Sequence, residues 1–389
     1  MASLNPISDS TVASTVHTLG PNTAAFIPSK PLVIPDLSTS VGVENYLAST
    51  EFVAAHIQNL NGGQLGYIYR VNLENAALRK SVIFKHTSNY ASSNKNVLLG
   101  AGRIDFEYEA LMAISRSGLV TSESVVHVPC VLFYDPLAHV LITEDLAPAR
   151  SLSSVLIEAF EAGTINDVSA HIGAALGNFM GKFYTWGAQP EQAGLRQRFL
   201  ENTTLKRTDT GLRYELMIKN SIKYGMKREW MELFVQQGMD DAHKGGNTII
   251  MGDFWADNIL VSPGSEPRVY IIDWEMATYG RPEIDVGAMA ASACTIAYIH
   301  PANASDFKFM QHFVSEYSKH FSLDDVQVAF SAGRELTSLG ADEPWTKFQD
   351  LNTRRAIIQY GLELLEAGMG RNVERIRNSI VFRNMYACD

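Results

Sequence analysis

The sequence predicts an α+β chain of two lobes, an antiparallel sheet followed by a mostly helical remainder, and three observations carry this. β-prone runs separated by Gly- and Pro-containing turns crowd residues 66–146. From Ser151 onward apolar residues recur at helical spacing, most clearly at Ile165, Val168, Ile172, Leu176, Phe179, Met180 and Phe183. Within the helical part, two short apolar runs at 248–251 and 269–272 lead directly into Gly252-Asp253 and into Asp273-Trp274-Glu275.

At 389 residues, 46% of them hydrophobic and 19% charged, the chain is long enough for one large two-lobed unit or two ordinary domains. A net charge of −10 argues against nucleic acid or an anionic membrane as a general partner and is compatible with a cationic ligand. The 3 cysteines, Cys130, Cys294 and Cys388, are far apart and give neither a disulfide framework nor zinc spacing. No apolar run is long enough to span a bilayer, and the first residues lack a basic-then-apolar leader, so the cytoplasm is the expected location. Nothing in the sequence sets the oligomeric state.

In chain order, residues 1–40 are rich in Ser, Thr, Pro and Asn without a period, and read as an extension loose or draped over the first lobe. Residues 43–57 show helical spacing through Val43, Tyr46, Leu47, Phe52 and Ala55. The run Asn61-Gly-Gly-Gln-Leu-Gly66 precedes Tyr-Ile-Tyr-Arg-Val and predicts a hairpin. Gly62, Gly63 and Gly66 there suit either an ordinary turn or a backbone that approaches phosphates closely. Lys85 ends the apolar run Val82-Ile-Phe-Lys, where an inward ammonium requires an anion. Residues 101–117 form a helix with Ile104, Tyr108, Leu111, Met112 and Ile114 on one face, and it offers both Glu107 and Glu109 as that anion. Residues 127–146 read as two antiparallel strands about the turn Asp135-Pro136, the second leaving at Glu144-Asp145-Leu146 for Ala-Pro-Ala. The first lobe is thus expected over 41–147 and the second over 148–389.

In the second lobe, the Met and aromatic stripe of 165–186 reads as core. Residues 190–245 give further helices with Tyr214, Leu216, Met217, Trp230, Leu233 and Phe234 apolar. The small apolar stretch 284–299 and three more helical stretches to about Arg377 complete it. His171, His243, His300 and His312 lack ligand spacing and read as structural or surface residues. Trp345, Tyr360 and Glu363 read as packing residues.

The chemistry concentrates between 248 and 287. An Asp at a strand end is commonly a turn or cap residue. Here Asp253, Asn258 five residues later, Asp273 after the next strand, and a Gly280–Asp285 G-x4-D pattern occur together. One carboxylate that receives or orients a hydroxyl proton, with an amide and a second carboxylate that hold magnesium on phosphates, is the set phosphoryl transfer requires.

This segment, with Ile272-Asp273-Trp274-Glu275, resembles the H-G-D-x4-N and I-D-W-E core of the aminoglycoside phosphotransferase and choline kinase family, the small-molecule branch of the protein-kinase-like fold. The pattern from Met251 to Leu260 followed by Tyr270 to Glu275 also resembles the fungal hydroxytryptamine kinases. Met251 stands where the family pattern has a His that supports the loop, a departure that bears on loop rigidity. The resemblance spans about residues 55–300. It implies an ATP- and Mg2+-dependent kinase that phosphorylates a hydroxyl of a small molecule, with a protein-kinase-like fold and the site between the lobes. By the same resemblance Asp253 is the base, with a low pKa, and Asn258 and Asp273 hold the metal. Phe106-Glu-Tyr-Glu-Ala-Leu111 selects Glu107 as partner of Lys85, Lys85 holds the nucleotide phosphates, and the backbones of Glu144 and Leu146 meet adenine. Glu275 is expected to orient a water or substrate group, and Asp285 to tie down the loop around Asp253. H-R-D, D-F-G and A-P-E signatures are absent, which disfavours a protein kinase. A pseudokinase-like nucleotide-binding module is the alternative of another class, separated by acceptor-dependent ADP release.

Overall fold

A computed structural model describes residues 34–386 except 61–64, 78, 242–243, 265, 300–304, 342–349 and 384. Gly62, Gly63, His243, His300, Trp345 and most of the N-terminal extension therefore lie outside the described residues.

The first lobe is built on a five-stranded antiparallel sheet in the order β1-β2-β3-β6-β5. Its strands are β1 (Ala54–Asn59), β2 (Tyr67–Leu73), β3 (Ser81–His86), β5 (Val131–Asp135) and β6 (Val140–Glu144). Alternation sends Val82 and Phe84 of β3, with Val140 and Ile142 of β6, into a cluster with Leu37, Val43 and Leu47. The same alternation turns Lys85 to the opposite face, and its register partner Leu141 packs in the cluster that holds Ile104 and Leu111 of α2 (Arg103–Arg116). Of the predicted extension, the described end is anchored by Leu37, which is buried.

Two boundaries differ from the sequence reading. The helix placed at 43–57 is only α1 (Ser40–Leu47), and Ala54–Asn59 is strand β1. Thr50 closes α1 by donating both its N–H and its hydroxyl to the Leu47 carbonyl, at 2.9 and 2.8 Å. Pairing of β1 with β2 then overrides the local period. Residue 127 does not open the β5–β6 pair, because β4 (Val126–His127) runs parallel to β10 (Val269–Ile271) in a second sheet.

The second lobe opens with α3 (Leu152–Ala162) and the long α4 (Ile165–Ala188), whose apolar stripe is core as read. Gly173 and Gly177 let α9 (Phe309–Tyr317) lie directly on α4. A Cβ at either would sit 2.4 and 2.0 Å from the carbonyls of Phe309 and Phe313. Then follow α5 (Ala193–Leu200), α6 (Thr203–Lys223) and α7 (Met231–Asp241). β8 (Thr248–Ile250) pairs antiparallel with β11 (Thr278–Gly280), and β9 (Ile259–Val261) lies between β10 and β7 (Arg150–Ser151). Helix α8 (Pro282–Ile299) is apolar around its circumference and accordingly buried among its neighbours. It packs with α10 (Asp325–Thr337), which packs in turn on α11 (Leu351–Met369), and α12 (Val373–Arg377) follows. Tyr360 stacks edge-on against Tyr298 and is a packing residue as read, whereas Glu363 is exposed and accepts from Gln359 at the surface. No helix among the described residues is long and apolar enough to cross a membrane.

Candidate active site

The loop after β8 turns through Gly252 at φ 86°, a left-handed conformation with no room for a side chain, since a Cβ would lie 2.4 Å from the Met276 carbonyl. Asp285 fixes this turn from beneath. Its carboxylate accepts the N–H groups of Met251 and Gly252, each at 2.8 Å, and the Tyr184 hydroxyl at 2.8 Å. The loop is thus held by a buried carboxylate and a buried phenol, while Met251 contributes only apolar packing.

Asp253 and Asn258 are joined across the loop, Asn258 Nδ2 donating to Asp253 Oδ2 at 2.8 Å and to its carbonyl at 2.9 Å. The Asn258 carboxamide oxygen remains as an acceptor. Asp253 Oδ1 accepts from Arg213 Nη2 of α6 at 3.1 Å. Arg213 is itself buried between Asp209, at 2.7 Å, and Glu335, with which it forms a second ion pair. Burial pushes Asp253 up to about 6 in spite of the Arg213 charge. This corrects the low value expected from sequence: a carboxylate drawn into the protein loses hydration that one guanidinium does not fully replace.

On the other wall, Lys85 Nζ donates to Glu107 Oε1 at 2.7 Å and pairs with Asp273. Burial pulls the Lys85 ammonium down, but the Asp273 and Glu107 charges outweigh it and hold it above its ordinary value. Glu107 is 3% exposed, whereas Glu109 points away and meets Arg198 at 3.0 Å. The choice of Glu107 over Glu109 therefore agrees with the geometry. Asp273 enters the site from a backbone at φ 61°.

Glu275 is held by an arginine of the first lobe. It accepts from Arg103 Nε at 2.9 Å, and the same guanidinium donates to the carbonyls of Ser88 at 2.6 Å, Gly100 at 2.8 Å and Leu65 at 2.5 Å. Burial pushes Glu275 up to about 7. The pair ties the D-W-E turn to the exit of the glycine-rich turn, where Gly66 stands with a Cβ position 3.2 Å from the His86 carbonyl. At the linker, Glu144 exchanges backbone and side-chain bonds with Cys130, and Asp145 is locked by Arg70 and Ser81, each at 2.7 Å. The Leu146 amide donates to no protein group among the described residues, while its carbonyl accepts from Ala149 at 2.9 Å.

Beside Gly252 lies a cavity of about 620 Å³ between α6, α7, α10 and the β8–β11 pair. Its aromatic wall is Tyr214, Phe234 and Phe330, with Phe234 set 5.9 Å edge-on from Tyr214 and 5.7 Å from Phe330. Sequence reading missed Arg213, Asp209 and Glu335. The only local sign was an Asp–Arg pair four residues apart, which any exposed helix also carries.

Asn258 and Asp273 together offer one amide oxygen and one carboxylate, and no cluster of three or more metal-binding side chains occurs among the described residues. Two hard oxygen donors fit magnesium, which completes its shell with phosphate and water, and do not fit a dedicated protein cage.

Residues 56–306 match the Phosphotransferase enzyme family, and the chain belongs to that family. It is 28% identical over 264 residues to a 4-hydroxytryptamine kinase of Psilocybe cubensis, covering 65% of this chain and 72% of the relative. A 4-hydroxytryptamine kinase of Psilocybe cyanescens is 27% identical over 273 residues, covering 67% and 74%. Among solved structures, a choline kinase of Streptococcus pneumoniae aligns over 84% of this chain and 98% of its own, with a TM-score of 0.44 and 15% identity.

Proposed function

We propose that this enzyme transfers the γ-phosphate of ATP to a hydroxyl of a small, amine-bearing aromatic molecule. The observation that carries the reading is the convergence of Lys85, Glu107 and Asp273 with the Asp253–Asn258 loop, beside an aromatic-walled cavity. The relatives' names support the acceptor class. Residues 41–147 serve the nucleotide and 148–389 supply the catalytic and acceptor-binding groups, in a protein of the cytoplasm.

In this mechanism Lys85, oriented by Glu107, neutralises charge on the nucleotide phosphates. Glu144 and Leu146 offer backbone groups to the base, and Gly66 gives the phosphates a close backbone. Asn258 and Asp273 would hold magnesium, which when bound offsets charge on the β- and γ-phosphates. Asp253 Oδ2 orients the acceptor hydroxyl and takes its proton, while Arg213 and Asn258 fix the carboxylate in place. The deciding measurement is ADP release with a panel of hydroxylated arylalkylamines, amino acids, sugars and aminoglycosides. Stimulation by hydroxylated arylalkylamines or their amino acids is expected, and release that no acceptor stimulates would leave only a nucleotide-binding module.

A further inference from the structure

The charges lining the acceptor cavity do not cancel. Its carboxylates are already engaged: Asp209 with Arg213, Asp241 with Lys244 at 2.6 Å, and Glu283 with the Asp324 amide at 3.1 Å. Of its cations, Lys244 and Arg334 are engaged too, Arg334 with Glu335 at 2.9 Å. Lys206 of α6 and Arg281, at the entrance to α8, form no ion pair among the described residues and face the same cavity. Burial and then the Arg281 charge both hold the Lys206 ammonium below its ordinary value. Lys206 is half-buried and Arg281 exposed, and an anion placed between two such like charges would be held by both.

We propose that Lys206 and Arg281 form a carboxylate subsite, so that the preferred acceptor is a hydroxylated aromatic amino acid rather than the corresponding simple amine. The aromatic wall of Tyr214, Phe234 and Phe330 receives the ring, and Lys206 and Arg281, which line the same cavity, take the carboxylate. This inference rests on the kinase reading above and deepens it.

The test compares a hydroxytryptamine with the matching hydroxytryptophan, two acceptors that differ only by the carboxylate, on the full-length protein and on Lys206→Met, Arg281→Met and the double variant. In the wild type the amino acid should have the higher kcat/KM, by on the order of tenfold, the effect of about one charge-assisted hydrogen bond. The double variant should bring the ratio near one through the acceptor KM. Calorimetric titration of the hydroxytryptophan should show the same loss of binding without turnover. Failure of every acceptor to stimulate ADP release, with calorimetric binding that still depends on Lys206 and Arg281, would overturn the kinase reading and leave the subsite standing. Preference for the amine in the wild type would overturn the subsite. So would calorimetric binding that the double variant does not weaken, or a rise in the ATP KM with the acceptor ratio unmoved, which would assign the two cations to the nucleotide.

Discussion

Asp253 has two neighbours that hold its carboxylate still. Asn258 and Arg213 occupy its carboxylate from two sides, and its side chain retains 29% exposure. Asp253→Asn should therefore fold and bind nucleotide while kcat falls by on the order of 10²–10⁴-fold, the usual contribution of a positioned acid–base group. Steady-state kinetics beside a thermal melt check this, and a loss under about tenfold would remove the base assignment. Glu107→Gln should raise the ATP KM because Lys85 loses its buried partner, and Glu109→Gln should not, since Glu109 meets only Arg198. The meeting of Asp253 with Asn258 and of Lys85 with Glu107 and Asp273 was legible, because Asp253 and Asn258 stand 5 residues apart, Asp273 ends an apolar run, and Lys85 and Glu107 sit on an apolar strand and on a helix that offers it a carboxylate. Arg213 and Glu335 were not, since they lie 122 residues apart in sequence and meet only through packing of α6 on α10. The partner of Glu275, Arg103, was hidden for the same reason, because it belongs to the other lobe.

At the scale of the element, the catalytic loop depends on one carboxylate. Asp285 accepts three hydrogen bonds, and an amide in its place would turn a donor toward at least one of those N–H or O–H groups. Asp285→Asn should cost about 1–3 kcal/mol, the penalty of a buried unmet group, and lower kcat more than it raises the ATP KM. The stability gap also depends on pH. Burial pushes Asp285 up to about 6 from the ordinary 3.8, so the folded protein holds a proton there that the unfolded chain releases. A raised carboxyl contributes stability at low pH that is lost as pH rises through this window. The gap between wild type and Asp285→Asn, read by chemical denaturation, should therefore narrow between about pH 4 and about pH 6. A gap that widens would show that Asp285 ionises more easily in the fold. Helix α4 was legible because its stripe repeats over 24 residues. The α1–β1 boundary was not, since eight helical residues and a six-residue strand are too short for a period to separate.

At the scale of the molecule, the two lobes meet through charged pairs, Lys85 with Asp273, Arg103 with Glu275 and Glu109 with Arg198, through a small apolar cluster of Ala91, Leu99, Leu205 and Met276, and through the main core, where Ile104, Phe106 and Leu111 of α2 and Leu141 of β6 join the apolar side chains of the second lobe. Among these contacts the Lys85–Asp273 pair is the one that must change when a nucleotide enters. Asp273 is the only carboxylate of the proposed metal set, and in the free protein its charge is already met by Lys85. Magnesium that approaches without nucleotide finds one amide oxygen and a carboxylate engaged by an ammonium, so the free protein should bind it weakly. ATP supplies phosphate oxygens for the ion and a new anionic partner for Lys85, which frees Asp273. Tight magnesium binding should thus appear only with a non-hydrolysable ATP analogue present, in calorimetric titrations without and then with that analogue. Asp273→Ala should abolish turnover even at high magnesium, because Asn258 carries no charge to offset the ion. Strong binding to the nucleotide-free protein would mean that Asp273 is not held by Lys85 in solution, and the assignment of this carboxylate to the metal would need a different geometry.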